Sequence, residues 1–298
     1  WFTSSQTPDI LKNYWPSFAE ALKGKPMSLR PQAHDIIRTW ATYTIQMGIL
    51  KHGGKIPWEN IMISGHILAK KGTKISKRTG GGAYSPEQMT IEHGADVMRY
   101  AMCTSALGKD AYFDEEELKN GKRLVTKLIN AGRFVRYHLK GDILSPLWCD
   151  CACLIDQWIV YRSEETAQAM SQEFDKFEFA KPRLLLEQFF WSDFCDNYLE
   201  IVKRRLYEGN EAERASAQKA LGCVFLNILK MLAPFMPFIT EEIYHELFVP
   251  SEATGESIHT SAWPAATAKL SKEIEVGAAL LLEVIAAMRK AKGEKGLS

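Results

Sequence analysis

The sequence lacks three features that would define other classes of protein: long apolar runs, a dominant sign of charge and a signal segment. No apolar run approaches the roughly 20 residues of a membrane-spanning helix, so no membrane partner is expected. Lys and Arg number 37 against 36 Asp and Glu, a formal net charge of +1. Any affinity for nucleic acid must therefore come from local patches. The chain starts at Trp1 without an initiating methionine, and we expect it to be a piece of a longer polypeptide.

The cysteines are few and do not form a metal-binding pattern. Cys149, Cys151 and Cys153 are separated by single residues, whereas zinc sites usually place about two to four residues between paired cysteines. Most of the six cysteines stand in or beside apolar helical sequence, where free thiols pack as small hydrophobic groups. We therefore predict no structural metal and a reduced, cytoplasmic protein.

The composition indicates a folded protein. Hydrophobic residues make up 46% and charged residues 24% of the 298 residues, which is typical of globular proteins and excludes a disordered or fibrous chain. The length suffices for about two domains.

Residues 1–83 alternate short strand and helix patterns. Met27–Arg30 predicts a short strand that Pro31 ends, a helical stripe runs from Asp35 to Met47, and Asn60–Leu68 predicts a largely buried strand. Strand, helix and strand with short connections predict a βαβ unit and a parallel sheet. Because two strands cannot bury a sheet alone, we expect most of this sheet to lie outside the chain.

From Ser85 onward the apolar pattern has a helical period almost throughout. Long helices are predicted at about Ile155–Phe174, Pro182–Tyr207 and Glu211–Leu232, with further helices near Thr240 and over residues 273–292. Successive long helices with short joints predict a bundle. The aromatic residues between Phe189 and Tyr198 are expected to lie mostly in its core, although one or two could stack on unpaired bases.

A glycine-flanked basic loop, Gly72–Gly82, follows the strand that ends at Leu68. Two lysines three residues apart, Lys74 and Lys77, could neutralise the charge that develops when pyrophosphate leaves a polyphosphate. The composition alone also allows a solvated loop without function. The spacing fits neither a Walker loop nor a dinucleotide fingerprint.

The segment Lys74-Ile75-Ser76-Lys77 resembles the Lys-Met-Ser-Lys-Ser signature of class I aminoacyl-tRNA synthetases. The surrounding segments Ser64–Leu68 and Gly94–Tyr100 are similar to that family as well. The stretches that resemble its valine-specific branch in particular are Trp1–Ser5, Leu29–Trp40, Tyr112–Glu115, Lys127–Val135, Phe189–Cys195 and Ala233–Glu242. The resemblance extends over essentially the whole chain, in the order that the family shows.

The resemblance implies activation of valine by ATP, with Mg²⁺ accompanying the ATP, and transfer of the valyl group to the 3′ end of tRNA. Lys74 and Lys77 would be catalytic. The residues implied to hold ATP are Lys74, Ser76, Lys77, His34 and Asp35, and Trp1 would lie near the amino-acid pocket. For Asp35, capping of the helix that starts there is the alternative. The expected partners are tRNA, ATP and valine, and a monomer is expected.

The fold implied by the resemblance is mainly α with a partial α/β part. The C-terminal part of a Rossmann-type catalytic domain would occupy residues 1–83 and a stem-contact segment residues 84–146. An α-helical anticodon-binding bundle would occupy residues 147–272, and a helical tail residues 273–298.

The sequence departs from the family pattern in two ways. The His-Ile-Gly-His signature is absent, so the chain would carry half of an active site and be inactive by itself. Arg78 replaces the final serine of the lysine signature, which adds a bulky cation that can itself bind phosphate bidentately. The alternative function is a non-catalytic tRNA-binding module or a partner subunit of a split synthetase.

A basic surface is predicted on the helix within Leu118–Gly141, which carries many cations and no acidic residue. Its apolar residues form one stripe, and most cations fall on the opposite face. The residues predicted to bind tRNA phosphates are Lys122, Arg123, Arg133 and Arg136 here, with Lys203, Arg204 and Arg205 on a later helix. A solvated helix face is the alternative for both groups.

Overall fold

The computed structural model describes residues 2–14, 26–68, 85–139, 151, 153–250, 255–265 and 271–295. The chain divides into two compact units, one of residues 1–84 and 105–113 and the other of residues 85–104 and 114–298. The chain therefore leaves the first unit, returns to it for nine residues and leaves it again. The predicted boundaries after residues 83, 146 and 272 remain predictions.

The first unit contains the predicted parallel βαβ arrangement. Strand β1 (Met27–Ala33) pairs in parallel with β2 (Trp58–Ser64). Between them the chain forms a short 3₁₀ turn and a π-helical turn that lead into α2 (Thr42–His52). Gly53 ends α2 with a φ of 64°, a left-handed conformation that glycine adopts without steric cost. A short helix, α1 (Thr7–Tyr14), precedes this arrangement.

Two sequence predictions about these strands were wrong. Pro31 lies inside β1, opposite Met62, instead of ending the strand. Among the described strands β1 pairs only with β2, and a strand with an open side tolerates a residue that lacks an N–H group. The predicted buried strand Asn60–Leu68 is in fact two strands, of which β2 is largely exposed.

The second of these strands, β3 (Ile67–Leu68), pairs in parallel with β4 (Ala111–Tyr112). The segment of residues 105–113 thus belongs to the first unit although it follows helices of the second. Within the described ranges the strands form two short parallel ladders, and the expectation that further strands lie outside the chain stays a prediction.

The second unit is helical, as predicted. Two short helices, α3 (Pro86–His93) and α4 (Ala95–Met102), precede the long α5 (Glu115–His138), which Asp114 caps. The helices that follow are α6 (Leu154–Phe174), α7 (Ala180–Gln188), α8 (Leu199–Glu208), α9 (Glu211–Leu232), α10 (Pro237–Phe248) and α11 (Lys272–Glu294). A π-helical segment, Phe189–Tyr198, joins α7 to α8 without a break. The three long helices of the bundle therefore match their predicted positions closely.

The core of this unit contains a cluster of aromatic residues. Phe189, Phe190, Phe194 and Tyr198 are fully buried, and Phe194 stacks on Phe225 of α9 with 6.2 Å between ring centroids. The expectation that these aromatic residues form core is confirmed. None of the described helices combines the length and apolarity needed to cross a membrane.

Candidate functional site

Polar side chains gather where β1 and β2 end side by side. His34 and Asp35 follow β1 directly, His66 follows β2 after one glycine, and Asp110 directly precedes β4. Open parallel sheets bind ligands at the carboxyl ends of their strands. The four side chains therefore lie at the edge of the sheet where a ligand is expected, and we refer to them as the edge cluster.

Asp110 is the centre of the edge cluster. Its Oδ1 lies 3.0 Å from Nε2 of His34 and accepts a hydrogen bond of 2.7 Å from the backbone N–H of His66. The rings of His34 and His66 are 4.6 Å apart between centroids, and Nε2 of His66 is 3.6 Å from Oδ2 of Asp35. Residues up to 76 positions apart in the sequence thus form one connected group.

The electrostatics keep Asp110 ionised. The hydrogen bond from the His66 backbone, and then that from His34, lower the pKa of the Asp110 carboxyl below its ordinary value. An ionised carboxylate can only accept hydrogen bonds, so His34 must donate from Nε2. The side chains of His34 and Asp110 are each 40% exposed and that of Asp35 is 46% exposed. The cluster therefore keeps open acceptor groups that could bind the hydroxyl or ammonium groups of a ligand.

The alternative role of Asp35 as a helix cap finds no support in the geometry. Asp35 lies within the 3₁₀ turn His34–Ile36 rather than before it, and its carboxylate pairs with His66. The sequence reasoning found His34 and Asp35 but missed His66 and Asp110. His66 stands in the quoted segment Ser64–Leu68, yet nothing in the sequence signals that Asp110 folds against it.

Several predicted site residues lie outside the described residues. These are Trp1, Lys74, Ser76 and Lys77, together with Arg78 and Cys149. Within the part of the chain that the structure describes, no group of three or more His, Cys, Asp or Glu side chains could hold a metal ion.

The predicted basic surface on α5 is solvent-exposed. Its apolar stripe, which includes Leu128 and Val135, is completely buried in the bundle. Lys122, Arg123, Arg133 and Arg136 are all exposed on the other side of the helix.

The four cations of this α5 basic face differ in their partners. Arg123 donates to Asn120 at 3.3 Å and lies 3.4 Å from Glu116, and Arg136 pairs with Glu246 of α10. The side chains of Lys122 and Arg133 make no hydrogen bond or ion pair with any residue that the structure describes. These two are therefore the cations of the face most available to an external anion.

The basic triplet on α8 does not form one surface. Arg204 is exposed, and Lys203 pairs with Glu200 at 2.6 Å. Arg205 instead donates from both terminal nitrogens to the two carboxylate oxygens of Asp156, each at 2.6 Å. Its guanidinium is occupied by an internal partner, and the tRNA surface proposed below leaves Arg205 out.

Two family models match this chain. Residues 1–114 match the class I tRNA synthetases for isoleucine, leucine, methionine and valine, and residues 156–298 match the anticodon-binding domain of tRNA ligases. The two matches follow one another along the chain and leave only the residues between 114 and 156 unmatched.

Curated relatives match over the whole length of the chain. A valine–tRNA ligase of Ehrlichia ruminantium (strain Welgevonden) is 40% identical over 302 residues, which cover 100% of this chain and 36% of the relative. A valine–tRNA ligase of Rickettsia rickettsii (strain Sheila Smith) is 40% identical over 314 residues, covering 100% of this chain and 38% of the relative. The chain thus spans little more than a third of the length of these relatives.

Among solved structures, the fold is similar to that of LeuRS of Agrobacterium radiobacter K84 agnB2, crystallised in a ternary complex with tRNA and LeuAMS. The TM-score is 0.63 at 14% identity, over 82% of this chain and 30% of that chain. At this identity the likeness concerns the fold alone.

Proposed function

We propose that this chain, which belongs to the class I tRNA synthetases, is part of a valine–tRNA ligase. In that enzyme it would join the end of the catalytic domain to the anticodon-binding domain. One observation carries the proposal: similarity to valine–tRNA ligases extends over the entire chain at 40% identity. The complete enzyme would activate valine with ATP, release pyrophosphate and transfer the valyl group to the 3′ end of tRNA.

The edge cluster would hold the adenosine end of the substrates. The exposed carboxylate of Asp35 can accept hydrogen bonds from ribose hydroxyls, and His34, fixed by Asp110, presents its ring beside it. Trp1 would contribute to the valine pocket. The roles of His34, Asp35 and Trp1 rest on the resemblance together with the position of the cluster at the carboxyl edge of β1 and β2.

The lysine loop would act on the phosphates of ATP. Lys74 and Lys77 would stabilise the charge that accumulates on the leaving pyrophosphate, and Ser76 would hydrogen-bond a phosphate oxygen. Mg²⁺ is commonly held by substrate phosphates with one or two carboxylates. The ion would arrive with ATP.

The helical unit would bind tRNA. Lys122, Arg123, Arg133 and Arg136 on α5 would contact backbone phosphates, and Arg204 with Lys203 would add a smaller patch. Such contacts fix the position of a nucleic acid without reading its sequence, so anticodon discrimination would come from base contacts elsewhere in the bundle. The enzyme would act as a cytoplasmic monomer.

The test of this proposal is amino-acid-dependent ATP–pyrophosphate exchange by the complete polypeptide that contains this chain. Exchange with valine, well above that with leucine, and valylation of tRNA are expected. Threonine, which is nearly isosteric with valine, should support weaker exchange, because a hydrophobic pocket rejects it only by about 100-fold. Residues 1–298 alone should bind tRNA without catalysing exchange.

The alternative is a tRNA-binding module or a partner subunit of a split synthetase. It is compatible with a chain that spans 36% of a relative's length and lacks the His-Ile-Gly-His signature. Binding of tRNA by the chain, combined with no valine exchange by the complete polypeptide, would favour the module. Exchange that appears only when a second polypeptide is added would favour the split enzyme.

A further inference from the structure

The strand that leads into the lysine loop is held by a distant part of the chain. β3 has only two residues and ends at Leu68, directly before residues 69–84. Its neighbour β4 supplies two backbone hydrogen bonds of 2.9 Å, from Ala111 N–H to His66 O and from Phe113 N–H to Leu68 O. A ladder this short is weak by itself, so further contacts are needed to fix β3.

Asp110 supplies such a contact. One oxygen of its carboxylate accepts the backbone N–H of His66 at the start of β3 and also binds Nε2 of His34 at the end of β1. The same carboxylate therefore ties the strand before the lysine loop to the strand before the His34–Asp35 pair. Hydrogen bonds to an ionised acceptor are roughly twice as strong as neutral ones.

A close backbone approach reinforces this link. A Cβ atom on Gly65 would lie 2.0 Å from the carbonyl oxygen of Lys109, the residue before Asp110. No side chain fits at that distance, so glycine at position 65 lets residues 109 and 110 approach the strand closely enough for the Asp110 bonds to form. The Gly108 N–H adds a 2.9 Å bond to Ile63 O.

We propose that Asp110 is a positioning residue of the activation step, which holds the His34 ring at the end of β1 against the backbone at the start of β3. The inference rests on the proposed function. Asp110 does not touch the reacting atoms; it acts through the His66 backbone and the His34 ring. Groups that hold a substrate act only from the right position, and a displacement of about 1 Å can cost up to about 100-fold in rate.

The experiment measures valine-dependent ATP–pyrophosphate exchange in the complete enzyme with Asp110→Ala and Asp110→Asn. For Asp110→Ala we expect kcat to fall about 10- to 100-fold with little change in KM for valine. Asp110→Asn retains an oxygen acceptor for the His66 N–H and should recover part of the loss. Glu59→Ala, which removes an exposed carboxylate on β2 of the same unit, is the matched control and should leave kcat unchanged.

A second variant tests the same contact between β3 and residues 109–110 through a change at Gly65. Gly65→Ala should reduce kcat in the manner of Asp110→Ala, because the added methyl group pushes Lys109 away. Gly277→Ala on α11, where a Cβ meets nothing within 4 Å, is its control and should be silent. Binding of tRNA should be unchanged in all five variants, which separates this effect from general unfolding.

The outcomes separate the two proposals. A complete wild-type enzyme without valine exchange would refute the proposed function. An active wild type with Asp110→Ala of equal kcat would refute the positioning role alone, as would a loss confined to KM for valine. A loss that Asp110→Asn does not relieve at all would also count against it, since hydrogen-bond acceptance at His66 would then be irrelevant.

Discussion

Each unit of the molecule contains an aspartate with several hydrogen-bond partners, and the two aspartates differ in how completely their surroundings enclose them. Asp110 in the first unit is 40% exposed and binds two groups through one oxygen. Asp156 in the second unit is fully buried and accepts bonds from Arg205, Tyr198 and Ser216. The Asp110 carboxylate thus keeps capacity to accept further hydrogen bonds, whereas the Asp156 carboxylate uses its capacity completely.

The groups around Asp156 are matched to a structural role. Burial, and then the nearby Asp156 carboxylate, raise the pKa of Tyr198 well above its ordinary value, so its hydroxyl keeps the proton that it donates. The hydrogen bond to Asp156 raises the pKa of Arg205 further. A buried charge with every partner in place holds three helices together, whereas an exposed charge with spare lone pairs can respond to a ligand.

The comparison of Asp110 with Asp156 predicts the largest loss of unfolding free energy for truncation of the buried Asp156. Asp156→Ala leaves the Arg205 guanidinium without its partner, and breaking a buried pair in this way typically costs about 3–5 kcal/mol. Asp110→Ala removes exposed contacts and should lower the unfolding free energy far less. Urea denaturation of both variants at neutral pH measures the difference. Equal losses of unfolding free energy would contradict the contrast between the two aspartates.

The loss of activity should follow the reverse order, with Asp110→Ala lowering the rate more than Asp156→Ala. The largest loss of activity is expected for a change in the lysine loop. Lys77→Ala in the complete enzyme should lower the rate of valine activation about 100-fold or more, since one preorganised donor contributes roughly 3–4 kcal/mol. KM for valine should change little because the loop acts on phosphates. Lys55→Ala, an exposed lysine in the same unit, is the control. A parallel loss of valine affinity would mean that Lys77 shapes the amino-acid pocket instead.

The sequence allowed prediction of the helices and the parallel pairing because both depend on local periodicity and connection length. Pro31 misled the prediction of β1, since the tolerance of a strand for proline depends on whether a neighbour needs that N–H. The edge cluster could be predicted only in part. His34 and Asp35 adjoin a strand end, but Asp110 reaches them because the chain leaves the unit and returns to it, and no local pattern encodes that path.

The three adjacent cations on α8 show the same limit of sequence-based prediction in the second unit. Lys203, Arg204 and Arg205 are adjacent cations of equal appearance in the sequence, yet successive helical residues point about 100° apart. Only Arg205 faces the buried carboxylate of Asp156, 49 positions away. Side-chain direction, which depends on the packing of α8 against its neighbours, decides which cation is available to a nucleic acid.

The α5 basic face should produce a smaller, electrostatic effect. Replacement of Lys122, Arg123, Arg133 and Arg136 by Gln should flatten the plot of log binding constant against log salt by about three units, at roughly 0.7 per phosphate contact. All tRNAs should weaken alike, because phosphate contacts carry no sequence information. Filter binding over a salt series measures this slope.

The matched control for that experiment is Arg205→Gln. Because its guanidinium binds Asp156, this variant should lower the unfolding free energy while it leaves the salt slope unchanged. If the quadruple variant keeps its affinity and slope, the α5 basic face is only a solvated helix surface. If Arg205→Gln flattens the slope, the inward placement of that side chain does not describe the protein in complex with tRNA.

The smallest effect concerns a charge that resembles neither aspartate, because it is buried without an ionic partner among the residues that the structure describes. Arg30 on β1 is only 4% exposed and stacks near the ring of Trp58, and its Nε and one terminal nitrogen have no hydrogen-bond partner. Gln32, two residues along the same strand, is 7% exposed and also unpartnered. Burial lowers the pKa of Arg30 from its ordinary value to about 10.

Arg30→Met should therefore stabilise this chain by about 1 kcal/mol at neutral pH, since it removes the cost of an uncompensated buried charge. The advantage should shrink as the pH rises through about 10, because the folded wild type loses the Arg30 proton at a lower pH than the unfolded chain does. Gln32→Met, which removes a neutral group, should give a smaller gain without this alkaline dependence. Urea titrations of the wild type and both variants between neutral pH and pH ~11 measure it. If Arg30→Met instead destabilises the chain at every pH, stacking on the indole ring outweighs the desolvation of the guanidinium.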